Sequence, residues 1–302
     1  MSSADKEPLI RQNESLQAYY SSLESRIGYR LMLGGTRHFG FYPLGTYWPF
    51  PINRSLRAME DHLIHTLDLE NGSKVLDAGC GYGYVAIHLA ESGYQVQGID
   101  VVDRHIAKAQ RNINAAGFAG KVTVTKGDYH HLDAFADGSF DGAYTMETFV
   151  HATEPEVAAA EFFRVIRPGG SLALYEYDHV DLDKESEEVR NSWAVINKYA
   201  AMPSNARFKR GVLEAILEEA GFEDVVVTDL TDNTLPMVRL FFIVALIPYL
   251  IITFLGLQPW FVNTVAGYQG YVNRKLVRYI AVSAKKPLSA GDVELSEKKK
   301  SR

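Results

Sequence analysis

Three groups of residues in this chain have the types and spacing for chemistry. Asp77 ends a short apolar run, residues 74–77, and the glycines Gly79, Gly81 and Gly83 follow at once in "VLDAGCGYG". Glycines so placed let a ligand reach the backbone and the N-terminus of the next helix, because a side chain would hold it off. Asp100 closes the next apolar run, residues 95–99. A carboxylate at that strand end accepts hydrogen bonds from both hydroxyls of a ribose. Glu147 and His151 lie in "METFVHATEPE", residues 146–156, between an apolar run and the start of a helix. There a buried Glu or His takes a proton or stabilises a developing cation. Each also has a plainer reading, in which Glu147 accepts backbone donors and His151 orients its loop.

The glycine order is G-x-G-x-G, and Tyr84 stands where a dinucleotide fingerprint has its last glycine. This disfavours an NAD-dependent oxidoreductase. Asp77 would repel a pyrophosphate but would pair with an amine. S-adenosylmethionine has that amine, a ribose and an adenine, and no phosphate. "VLDAGCGYG" resembles the first motif of class I methyltransferases that use S-adenosylmethionine.

The rest of the chain resembles the family in order, over roughly residues 73–287. "VTVTKGDYHHL" reads as a third strand followed by Asp128, "FDGAYTMETFVHA" as a fourth strand and its loop, and "EFFRVIRPGGSLALYEY" as a helix, turn and fifth strand. "LEEAGFEDVVVTDL" and "KLVRYIAVSAKKP" carry the sixth and seventh strands. The resemblance implies an α/β fold, a Rossmann-like seven-stranded sheet, mostly parallel with an antiparallel last strand and helices on both faces. It implies that Asp77, Gly79, Gly81 and Gly83 hold the methionine end, Asp100 the ribose and Asp128 the adenine. Tyr20, Cys80, Val101, Gly127, Tyr129 and Met146 are further cofactor-binding positions, with Cys80 a small packing residue rather than a nucleophile.

The "E-x-x-x-H-A" spacing of Glu147 and His151 resembles sterol C-methyltransferases and tocopherol-type methyltransferases. The stretch "YYSSLESRIGYRLMLGGTRHFGFYP" resembles the substrate-side N-terminal region of that sub-family, with Tyr20, His38, Phe39 and Gly40 in a flap. Its structural alternative is a helix and loop that cover the sheet edge. Val189, Trp193 and Ile196 follow helical spacing and predict an inserted cap helix against the acceptor. Thr153 to Glu156 reads as a capping box with Pro155 in the first turn. His130 and His131 are adjacent, so on a strand they point to opposite faces and share no metal; no metal is expected.

These elements predict residues 1–70 as a helical lid and 71–287 as the cofactor domain. Within the latter, 178–208 form the cap and 231–276 an apolar insert; 288–302 form a disordered tail. The chain has 302 residues, 47% of them apolar, with net charge −6. No basic block adjoins an aromatic platform, so nucleic acid is not a partner. A lone cysteine and a polar N-terminus imply a cytoplasmic protein.

The stretch "RLFFIVALIPYLIITFLGL", residues 239–257, lies between the sixth and seventh strands, which pair in the family. A single membrane crossing would separate them. Pro248 is expected to break the run into halves of nine residues, a kinked hairpin too short to span. Three roles remain: a wall for the acceptor with Tyr249 in contact, a monotopic contact of 240–262 with an intracellular membrane through Tyr249 and Trp260, or a homodimer interface. The expected function is transfer of a methyl group to nitrogen, oxygen or carbon of a lipophilic small molecule in secondary metabolism. The alternatives are a sterol C-methyltransferase, and a protein that binds S-adenosylmethionine without methylating, as a pericyclase-like catalyst or accessory subunit.

Overall fold

A computed structural model of the chain describes residues 14–289 except 23, 26, 27 and 29–31. The first 13 residues and most of the expected tail lie outside the described residues. The strands are β1 (Lys74–Ala78), β2 (Gln95–Asp100), β3 (Val122–Lys126), β4 (Phe140–Met146), β5 (Ile166–His179), β6 (Glu223–Asp229) and β7 (Val277–Lys285). They form one sheet in the order β3-β2-β1-β4-β5-β7-β6. Only β7 is antiparallel, pairing with both β5 and β6. The direction of strand order reverses between β1 and β4, and there the carboxyl ends of the strands open a crevice. Asp77 and Glu147 stand on either side of it.

β1 and β4 are covered on both faces, so burial runs along them without alternation. Helices α1 (Glu14–Ser21), α2 (Ile52–Leu67), α3 (Tyr84–Glu91), α4 (Asp103–Ala116), α5 (Pro155–Val165), α6 (Glu187–Tyr199), α7 (Val212–Glu219), α8 (Thr231–Phe254) and α9 (Val262–Val272) complete the described helical elements, with short 3-10 turns between some of them. One hydrophobic cluster joins the sheet to Met59, Leu63 and Leu67 of α2 and to α3. The other joins it to Phe162 of α5 and to Leu213 and Leu217 of α7. Buried side chains of this size contribute about 1.5–3 kcal/mol each.

The structure corrects three expectations. The capping box does not form. Pro155 holds the residue before it out of the helical region (φ −131°, ψ 78°), so Glu154 becomes the N-cap and, among the described residues, Thr153 Oγ1 has no partner. His130 and His131 lie in a turn, not on a strand. Most consequentially, Pro248 does not divide the apolar run. α8 continues through Pro236 and Pro248 for 24 residues. Proline removes one donor from a helix, and packing against α9 holds the rest together. Tyr249 stacks on Tyr268 with centroids 3.8 Å apart, and Phe242 on Tyr271 at 4.6 Å. A Cβ on Gly267 would lie 3.3 Å from Ala245 and from the Phe241 carbonyl, which is how closely the two helices approach. By length and composition α8 could cross a membrane. The strands it connects nevertheless pair side by side in one sheet, so the chain leaves and returns on the same side.

Candidate active site

The β1 turn bends through three glycines, and Gly79 shows why. Its φ is +102°, and a Cβ there would lie 2.6 Å from Thr148. The Gly79 and Cys80 amides donate to the Ile99 carbonyl, both at 2.9 Å. Gly83 then caps α3 in the left-handed region. This turn is one wall of a cavity of about 140 Å³ that also takes in Asp77, Asp100, Tyr20 and Tyr129.

Asp77 is buried, and among the described residues its Oδ2 has no hydrogen-bond partner. Burial raises its carboxyl to about 7, with the Tyr144 hydroxyl acting against the rise and the nearby charge of Asp100 adding to it. An orphaned carboxylate in a cleft is the group expected to receive a ligand cation. Asp100 is held differently. Burial opposes its charge, but His105 and the amides of Val102 and Gly81 keep its carboxyl below the ordinary range. Val102 N–H donates to Oδ1 at 2.8 Å and Gly81 N–H to Oδ2 at 2.9 Å. Gly127, Tyr129, Val101, Cys80 and Met146 all reach the cavity wall. Asp128 does not. Its Oδ1 accepts from the His130 amide at 3.0 Å and from His130 Nδ1 at 2.7 Å.

A lid closes this cavity. Tyr20 on α1 donates its hydroxyl to His151 Nε2 at 2.8 Å, while His151 Nδ1 donates to the Ala201 carbonyl at 2.7 Å. Burial lowers the His151 pKa to about 4. The ring is therefore neutral at pH 7 and committed on both nitrogens. Arg37 lies between the rings of Tyr20 and Tyr82, 4.6 and 4.9 Å from their centroids. His151 thus joins α1 to the Ala201 carbonyl and lines this cavity, not the second.

The second cavity, about 400 Å³, is walled by Phe39, Trp193, Ile196, Phe241, Val262 and Ala266 among others. Its lining comes from the N-terminal segment, α6 and the α8–α9 hairpin. Trp193 stands where helical spacing predicted. Tyr249 is not in the wall; it faces α9, where its hydroxyl accepts from Gln269 at 2.9 Å. The two cavities share Tyr19, Arg37, His38, Glu147, Tyr177 and Met202.

Glu147 is the polar centre of that junction. Its backbone is in the left-handed region, φ +56°, a strained position for a side-chain-bearing residue. Oε1 accepts from the Phe39 amide at 2.7 Å and the Tyr279 hydroxyl at 3.0 Å, and Oε2 accepts from the Tyr177 hydroxyl. Burial raises its carboxyl above the usual range, although Tyr177, Phe39, His38 and Tyr279 all favour its charge. Tyr177 and Tyr279 are opposed in register across β5 and β7. Burial pushes both phenols well up, so both stay protonated donors. His38 contacts the Phe39 carbonyl at 2.8 Å and Glu60 Oε1 at 3.3 Å. Both partners only accept when Glu60 is ionised, which favours imidazolium; despite burial, Glu60 holds the His38 pKa raised. Tyr177, Tyr279, Arg37 and Glu60 were not singled out from the sequence. The alternation Tyr175–Tyr177 was the only available signal, since the opposing Tyr279 requires the β5–β7 register.

Comparison with known proteins agrees with this geometry. Residues 76–174 match the Methyltransf_11 family, a methyltransferase domain. The chain is 43% identical over 277 residues to an S-adenosyl-L-methionine-dependent Diels-Alderase of Talaromyces variabilis, covering 90% of this chain and 95% of that one. It is 32% identical over 223 residues to the sterol 24-C-methyltransferase of Yarrowia lipolytica, 73% of this chain and 56% of that protein. Among solved structures, the 4+2 cyclase SpnF shares the fold with TM-score 0.69 at 23% identity, over 93% of this chain and 97% of that one. The chain therefore belongs to the class I S-adenosylmethionine-dependent methyltransferase family, with S-adenosylmethionine as its cofactor.

Proposed function

We propose that this protein binds S-adenosylmethionine and, without transferring the methyl group, catalyses an intramolecular 4+2 cycloaddition of an apolar, unsaturated small molecule in secondary metabolism. The carrying observation is the 43% identity to a Diels-Alderase across nearly the whole of both chains. A 4+2 cycloaddition turns three π bonds into two σ bonds and one π bond within a single substrate. No proton leaves and no group is transferred, so no free base is needed. The reaction needs diene and dienophile held face to face, and that is what a shaped apolar cavity supplies.

The junction chemistry supports this reading. Glu147 already accepts from three donors, and both ring nitrogens of His151 are engaged. Neither is arranged as a base facing the large cavity. The remaining lone pairs on Glu147, Tyr177 and Tyr279 suit a polar N–H or O–H of the substrate and would fix its orientation. Asp77 and the glycine turn would hold the amine end of the cofactor, and Tyr20 with Arg37 would close over it. The chemistry that S-adenosylmethionine supplies when bound is a fixed positive charge on sulfur.

Methyl transfer is the second reading, favoured by the likeness to a sterol 24-C-methyltransferase. Gene deletion followed by mass spectrometry of extracts separates the two. Cycloaddition predicts accumulation of an uncyclised isomer of the lost metabolite. That isomer, added to the purified protein with S-adenosylmethionine, should cyclise with no S-adenosylhomocysteine formed. A precursor lighter by one methylene, and stoichiometric S-adenosylhomocysteine, would overturn the proposal.

A further inference from the structure

Among the described residues nothing covers the outer face of α8, and that face is apolar. Ile243, Ile247, Leu250, Ile251 and Leu255 are all at least half exposed, and Phe254 at its end is 90% exposed. A second apolar segment, Leu44 to Phe50, joins the same end of the molecule. The Arg239 guanidinium lies 4.1 Å from the Tyr47 ring centroid and donates to the Tyr47 carbonyl at 2.6 Å. Trp48 beside it is 63% exposed.

Three features decide what covers this face. The first is charge. No Asp, Glu, Lys or Arg occurs between Arg239 and Arg274, and Lys275 follows. Phe242 stacks on Tyr271, so Arg274, three residues past Tyr271, is level with Arg239, three residues before Phe242. The hairpin thus has cations at its base and none beyond, a match for a phosphate layer above hydrocarbon. The second is composition. Exposed Tyr47 and Trp48 stand beside the cationic base at Arg239, while the middle of α8 is aliphatic. Protein interfaces favour aromatic and arginine cores, whereas bilayers place aromatic rings at the interface and aliphatic side chains within. The third is length. Arg239 to Phe254 spans about 22 Å of helix, more than the ~15 Å of hydrocarbon in one leaflet and less than the ~30 Å of a full core.

We propose that the α8–α9 hairpin, with the 44–50 loop beside it, docks into one leaflet of a phospholipid membrane. Val244 is half exposed and also lines the large cavity, so the cavity wall is continuous with the docking face. An apolar substrate dissolved in lipid then has a route that avoids water. The proposal is independent of the reaction catalysed.

The test uses the purified full chain and vesicles of phosphatidylcholine with phosphatidylserine in a flotation gradient. The protein is expected to float with the vesicles. Brominated phosphatidylcholine should quench its tryptophan fluorescence, and W48F/W260F, which retains only the buried Trp193, should not be quenched. Ile247→Glu with Phe254→Glu lies outside both cavity walls and should lower vesicle partition at least tenfold while leaving calorimetric S-adenosylmethionine affinity unchanged. Unchanged affinity also verifies that the variant is folded. A wild-type protein that stays at the bottom of the gradient overturns the proposal. So does a soluble dimer that the same two substitutions dissociate, because a second copy would then cover the face.

Discussion

If Asp77 receives the cofactor's amine, as proposed, cofactor binding is a proton-linked event. In the empty protein its carboxyl is raised to about 7 by burial and by Asp100. Pairing with the cofactor's amine requires the carboxylate, so a protonated Asp77 must lose its proton on binding. Affinity should therefore rise with pH through about 7 and flatten above it. With the carboxyl at about 7 and the cofactor's α-amine losing its own proton at about 8, the dissociation constant should be about sixfold weaker at pH 6 than at about pH 7.5. At pH 6.5 binding should release about three quarters of a proton. Calorimetry in two buffers of different ionisation enthalpy counts that proton directly. Asp77→Asn removes the titration and the charge-assisted contact together. Its affinity should fall by about 1.5–3 kcal/mol at pH 8 and become flat with pH. Stability of the empty protein should move the other way. A carboxyl raised in the folded state stabilises at low pH, and this contribution is lost as pH rises through the folded value. A dissociation constant that does not change between pH 6 and 8, with no proton released, would refute the assignment of Asp77 to the amine.

Two further outcomes test the walls of the site. Glu147→Gln keeps an acceptor for the Phe39 amide but presents an amide donor toward a tyrosine hydroxyl, so product formation should fall about tenfold. Cofactor affinity should stay within about twofold, and unchanged turnover would remove Glu147 from the positioning machinery. Gly79→Ala places a methyl 2.6 Å from Thr148 at φ +102° and should cost about 1–3 kcal/mol of stability, seen in thermal melts. Gly81→Ala, where nothing lies within 4 Å of the added carbon, should cost less; the reverse order would contradict the packing described.

The cofactor half was legible because its rules are local. A strand end, a glycine turn and an acid at the next strand end are all set by neighbours in sequence, and Asp77, Gly79 and Asp100 meet as expected. The larger cavity was not, because it is built by register. Tyr177 and Tyr279 reach Glu147 only because β5 and β7 pair antiparallel at those positions, 102 residues apart in the chain. Glu60 and Phe39 join through the packing of the N-terminal segment. Pro248 misled for another reason: tertiary contact with α9 outweighed a local breaking signal. His151 was read as either catalytic or orienting; the partners of its two ring nitrogens, Tyr20 and Ala201, lie 131 and 50 residues away and were not legible in the sequence.

The shared wall between the two cavities carries a thermodynamic obligation. Six side chains belong to both, and Tyr19 among them bonds Asn263 of α9 at 2.8 Å, tying the lid helix to the substrate wall. Whatever factor the cofactor contributes to substrate affinity, the substrate must return to the cofactor. For a methyl donor such reciprocity would hinder exchange of spent cofactor after each turnover. For a cofactor that is not consumed it does the opposite service: each new substrate tightens its hold, and the nucleoside becomes a resident part of the protein rather than a visitor.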